Sequence, residues 1–137
     1  MNLAEPVLSD IDDKWEQVKP YLDRLFATYP GFNTTAEHVY DACIRGYADL
    51  WVAPEGFLVT RFLVDEDTET RTLFMWVGCS FGGEMGGIEK YLPFLEVVAK
   101  HTNCKYIETW SLREGMGRYL ARQGYDLYYR AYRKEVT

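Results

Sequence analysis

Residues 79–91 read CSFGGEMGGIEKY, which sets Gly82, Gly83, Gly86 and Gly87 between a long apolar run and an amphipathic segment. A strand that enters a glycine-rich turn and continues as a helix can aim several backbone N–H groups at a phosphate. The same residues also make a sharp corner with no ligand, because glycine adopts backbone angles closed to other residues. Composition alone leaves both readings open. The turn is not a GxxxxGK[ST] nucleotide loop, since Gly87 is followed by Ile88 and Glu89.

Other chemistries find less support. His101 and Cys104 are three apart, but two ligands do not make a zinc site and no second pair accompanies them. No serine sits in a GxSxG elbow. The acidic run DEDTE at 65–69 lacks calcium-loop spacing and reads as the solvated tip of a hairpin. Cys43, Cys79 and Cys104 form no CxxC pair and lie in apolar stretches, as expected of reduced, buried thiols in the cytoplasm. His38 falls on an early surface helix. His101 falls at a helix end, where it complements the dipole.

Positioning a glycine turn requires a sheet, and the chain is long enough for one. Its 137 residues, 47% hydrophobic and 26% charged, fit a single globular domain spanning 1–137. No apolar run approaches the roughly 18 residues of a membrane span, and the acidic N-terminal stretch MNLAEPVLSDIDD does not read as a secretory signal. The net charge of −6 is unevenly spread. Residues 1–70 carry 14 acidic and 5 basic side chains, and residues 71–137 carry 7 acidic and 10 basic. An acidic front half argues against general nucleic-acid affinity, and the basic back half suits an anionic small molecule better.

Ser9 is the expected cap of a first helix, whose apolar positions run from Ile11 to Phe26 with a kink or split at Pro20. Thr34 with Glu37 predicts a second helix reaching about Tyr47. LWVA, FLVTRFLV and TLFMWVGCS read as strands, and the last is apolar on both faces, so it belongs inside the sheet. IEKYLPFLEVVAKH then predicts a helix, CKYIETW a strand, REGMGRYLARQG a helix ending on Gly124, and YDLYYRAYRKEV a terminal strand. The sum is an α/β (α+β) chain with one mixed sheet, two N-terminal helices and two further helices.

This order, with a glycine-rich turn after an inner strand and a later helix ending in Gly plus an aromatic residue, resembles the GNAT superfamily of N-acetyltransferases. Within it, AEHVYDACIRGYADLWVA, the strand-plus-glycine segment and SLREGMGRYLARQGYDLYYRAYRKEV look most like small GNAT-like proteins of tailed bacteriophages. The resemblance covers most of the chain after about residue 33. It implies acetyl-CoA as cofactor and an amine as acceptor. The backbone of Val77, Gly78 and Cys79 would face the pantetheine where two strands splay, with Gly78 permitting a bulge. The turn at Gly82, Gly83, Gly86 and Gly87 would take the pyrophosphate. Glu108 would be the general base, and Tyr119 either the acid that protonates the departing thiolate or, as its helical position favours, a packed aromatic. It also implies a cytoplasmic place in a host cell or an association with a virion.

The departures from the family pattern are specific. The family turn begins with Gln or Arg, and no register places either here; Glu84 adds a carboxylate instead. Four residues before Gly124–Tyr125 stands Leu120, with Tyr119 one place off, roughly 100° around a helix. Arg113 stands where many members have Asn. These departures suit an alternative, a GNAT-like phage protein that has lost catalysis and binds a phage or host protein.

Overall fold

The computed structural model describes residues 5–82, 91–110, 116–128 and 131–136. Their elements in order are β1 (Val7–Ser9), α1 (Ile11–Thr28), a 3-10 turn (Pro30–Phe32), α2 (Ala36–Ile44), β2 (Asp49–Ala53), β3 (Gly56–Val64), β4 (Arg71–Ser80), α3 (Leu92–His101), β5 (Tyr106–Thr109) and α4 (Met116–Arg122). The strands form one sheet in the order β1-β2-β3-β4-β5, antiparallel throughout except for the parallel pair β4–β5. The mixed single sheet and four helices are those expected from the sequence.

The sheet is packed on both faces. Ile11, Val18, Leu22 and Phe26 of α1, with Val39 of α2, meet Leu50, Phe57, Val59 and Val77 on one face. Leu92, Leu95 and Val98 of α3 meet Leu58, Leu73 and Met75 on the other. Phe57, Leu58 and Val59 are each fully buried, so β3 is covered on both sides, and its apolar run reflects that.

Several boundaries differ from expectation. Ser9 lies in β1, an edge strand the sequence did not announce, and the cap of α1 is Asp10, whose Oδ1 accepts from the Asp12 N–H at 2.8 Å. Pro20 sits inside α1 without splitting it. Its ring is exposed, as is Glu16, so the carbonyl that loses its partner is on the wet side while Val18, Leu22 and Phe26 hold the helix down. Thr35, not Thr34, caps α2 through the His38 N–H, and that helix stops at Ile44 because Gly46 adopts φ +80°. The 65–70 tip is a solvated hairpin loop as expected, with the Asp65 carboxylate accepting from the N–H groups of Asp67 and Thr68.

The terminal strand is not seen among the described residues: 125–128 and 131–136 pair with no strand, and Leu127 and Tyr132 are largely exposed. The alternating pattern is present, and Arg133 of this stretch donates through Nη2 to the Gly31 carbonyl at the 3-10 turn.

Asp49, at the start of β2, is half-buried, and burial raises its carboxyl above the ordinary range. The fold thus favours the neutral form, a preference felt below the ordinary carboxylate pKa and lost as pH rises through the folded value. Asp49→Asn is expected to raise the thermal midpoint at pH 7, with the gain fading toward about pH 4. A lower midpoint at pH 7 would show that the charged form has a favourable partner.

Candidate functional site

The end of β4 is the feature on which a site can be built. β5 pairs with β4 at only four positions, from Thr72↔Tyr106 to Met75↔Thr109. β4 runs on to Ser80, still paired with β3 as far as Gly56↔Ser80. Among the described residues, Trp76–Ser80 therefore has no strand on its second side. Five residues at about 3.3 Å each leave roughly 17 Å of open edge, enough for an extended arm carrying two amides.

The break in pairing coincides with a bulge. Val59 faces Val77 and Thr60 faces Met75, so Trp76 is the extra residue. The bulge sits two residues before Gly78, where the sequence had suggested it. An inserted residue bends its strand and sharpens the local twist, which turns the end of β4 away from β5. Trp76 keeps a packing partner, since the Arg61 guanidinium lies over its ring at 5.0 Å.

Of the residues singled out from the sequence, Val77, Gly78 and Cys79 line this open stretch. Val77 is buried in the α1/α2-side core, and Gly78 and Cys79 pair with Leu58 and Phe57. Burial pushes the Cys79 thiol up to about 12, with Arg24 acting weakly the other way, so it is a protonated thiol and no nucleophile at neutral pH. Cys43 is likewise raised, to about 11, mainly by burial. Gly82 is exposed, its N–H donating to Ser80 Oγ at 3.3 Å. Gly83, Gly86 and Gly87 lie outside the described residues.

Glu108 and Tyr119 fall on different faces. Glu108 is paired with Phe74 and half-exposed, whereas its neighbour Ile107 joins the α3-side core. Its carboxylate therefore lies on the face opposite α3, near the Phe74 and Trp110 rings, whose centroids are 4.8 Å apart. Tyr119 packs with Leu120 and Tyr125 against the α3-side core. At the end of α4 the Tyr125 N–H bonds to the Leu120 carbonyl, the Gly124 N–H to the Ala121 carbonyl, and Gly124 adopts φ +87°, a Schellman closure.

Three residues escaped the sequence reading. A Cβ on Gly56 would lie 2.3 Å from the Cys79 carbonyl oxygen, so only glycine lets β3 begin against the end of β4. Tyr91, buried at the start of α3, donates its hydroxyl to Glu55 Oε2 at 3.2 Å, and burial with the Glu55 contact raises it to about 12. Gly56 had a local signal in PEG but read only as a turn. Glu55 and Tyr91 are 36 residues apart and had none. Among the described residues no His/Cys/Asp/Glu cluster suits a metal ion, and no helix is long and apolar enough to cross a membrane.

An open β4 edge beside a bulge, followed by a glycine-rich connection into a helix, is the arrangement of the GNAT acetyltransferase fold, and solved structures bear out the fold over the whole chain. The chain aligns with a structure described as a "probable acetyltransferase" at TM-score 0.71 and 10% identity, covering 98% of this chain and 99% of that one. Ribosomal-protein-alanine N-acetyltransferase from Brucella melitensis biovar Abortus 2308 aligns at TM-score 0.67 and 16% identity, over 97% and 100%. The aminoglycoside acetyltransferase meta-AAC0020 from an uncultured soil metagenomic sample, in complex with sisomicin, aligns at 0.68 and 13%, over 99% and 97%. No protein-family profile and no curated protein sequence matches the chain.

Proposed function

We propose that the protein is an acetyl-CoA-dependent N-acetyltransferase. The observation that carries this is the edge at Trp76–Ser80, unpaired among the described residues, just where β5 parts from β4. When bound there, acetyl-CoA supplies a thioester whose carbonyl carbon takes the acceptor nitrogen and whose C–S bond breaks, giving an amide and free CoA thiol.

The chain's own residues would do the rest. The backbone of Val77, Gly78 and Cys79 offers N–H and C=O groups to the pantetheine amides, as an added strand would. Gly82, Gly83, Gly86 and Gly87 offer N–H groups to the pyrophosphate. Glu108 takes the proton lost by the attacking amine, directly or through water, and Tyr119 returns one to the thiolate. The solved neighbours, acetyltransferases acting from a ribosomal protein to an aminoglycoside by their names, support the reaction class and leave the acceptor open. Resemblance in three sequence stretches supports a bacteriophage origin, with action in the host cytoplasm or in association with a virion.

The second reading, a GNAT-like protein that only binds another protein, is favoured by one observation: the half-buried Tyr119 ring packs against the α3-side core. The two separate on thiol release from acetyl-CoA in the presence of a panel of primary amines. Amine-dependent release supports the enzyme. Tight CoA binding without release for any amine favours the binding protein.

A further inference from the structure

The β2–β3 turn, Pro54–Glu55, touches both ends of the connection between β4 and α3. At the β4 end, the Phe81 N–H donates to the Glu55 carbonyl at 2.8 Å, and Ser80 Oγ reaches the same oxygen at 3.5 Å. At the α3 end, the Tyr91 hydroxyl donates to the Glu55 carboxylate. Phe81 is pinned further: its carbonyl accepts from Tyr21 Oη at 2.9 Å, and its ring packs against Tyr21 and Phe57. Thus one residue, Glu55, ties the residue after β4 to the residue before α3 through its carbonyl and its carboxylate.

We infer that Glu55, acting through Tyr91, is a positioning residue for coenzyme A: it fixes the separation between the open edge of β4 and the start of α3. This rests on the acetyl-CoA reading above. The pantetheine and the diphosphate of the cofactor are joined covalently, so the strand edge that receives the one and the glycine turn leading into α3 that receives the other must keep a set spacing. Preorganising that spacing removes an ordering cost from binding. Neither residue needs to touch the ligand.

The test is calorimetric titration of the full chain with CoA and with acetyl-CoA, beside thermal unfolding, for Glu55→Ala, Glu55→Gln, Tyr91→Phe and the double variant Glu55→Ala/Tyr91→Phe. Glu55→Ala and Tyr91→Phe are each expected to weaken binding about tenfold, and the double variant no further, because both remove one link. Glu55→Gln keeps an accepting oxygen and is expected to bind nearly as the parent does. Tyr91→Phe keeps the ring in place and carries the test if Glu55→Ala unfolds. Variants that lose thermal stability yet bind CoA as tightly as a CoA-binding parent would overturn the positioning role and leave the enzyme reading standing. A parent chain that binds no CoA would overturn that reading itself.

Discussion

Gly56→Ala is expected to destabilise the protein by about 3 kcal/mol and to weaken CoA binding in whatever fraction still folds. The added methyl would lie 2.3 Å from the Cys79 carbonyl oxygen and 3.2 Å from the Ser80 Cα, both backbone atoms that no side-chain rotation can move. Relief requires the first residue of β3 to part from the last residues of β4. That breaks the pairing of Gly56 with Ser80 and Phe57 with Cys79, on which the open edge depends. Phe57 is fully buried between α1 and the sheet, so the strain cannot be absorbed by tilting β3 without opening the core. Denaturant unfolding monitored by tryptophan fluorescence would measure the loss. A variant within about 0.5 kcal/mol of the parent would mean that this contact is not held closely in solution.

Glu108→Gln carries the largest expected effect on activity. A positioned base contributes about 10²–10⁴-fold to a proton transfer, and the amide is nearly the same size but accepts no proton. Turnover with a competent amine is expected to fall by about that factor, while CoA affinity stays within about twofold, since Glu108 faces away from α3 and pairs with Phe74 rather than with the open edge. Tyr119→Phe should do less, roughly tenfold to a hundredfold, because a thiolate leaves with little help near its own pKa. Full turnover in Tyr119→Phe would confine that ring to packing, and full turnover in Glu108→Gln would remove the base.

The contrast between these residues shows what a sequence carries by itself. The order of helices and strands was legible because β3 and β4 bury both faces and so read as unbroken apolar runs, while α1 and α3 bury one stripe each. The open edge was anticipated at Val77–Cys79, but the bulge falls at Trp76, because a bulge depends on how Val59 and Thr60 pair across the sheet and not on the glycine nearby. Caps slipped by one residue for a similar reason. Ser9 and Asp10, or Thr34 and Thr35, are chemically alike, and only backbone geometry chooses between them.

The candidate site was legible in part. Glu108 was expected to point opposite to Ile107, and strand alternation bears that out. The Glu55–Tyr91 bond and the Gly56 contact were out of reach, since each joins segments over 20 residues apart by tertiary packing alone. The C-terminal stretch erred in the other direction. Its alternating aromatics are good strand chemistry, yet Leu127 and Tyr132 stay exposed, because propensity is a weak preference that the packing around a stretch can override.

The most direct measurement is a calorimetric titration of the purified chain with acetyl-CoA and with free CoA, repeated on Gly86→Arg. The expected result is one site of micromolar affinity for both ligands, lost in Gly86→Arg while the thermal midpoint changes little. No heat of binding at millimolar ligand would contradict the acetyltransferase reading and leave the open edge of β4 without its proposed occupant.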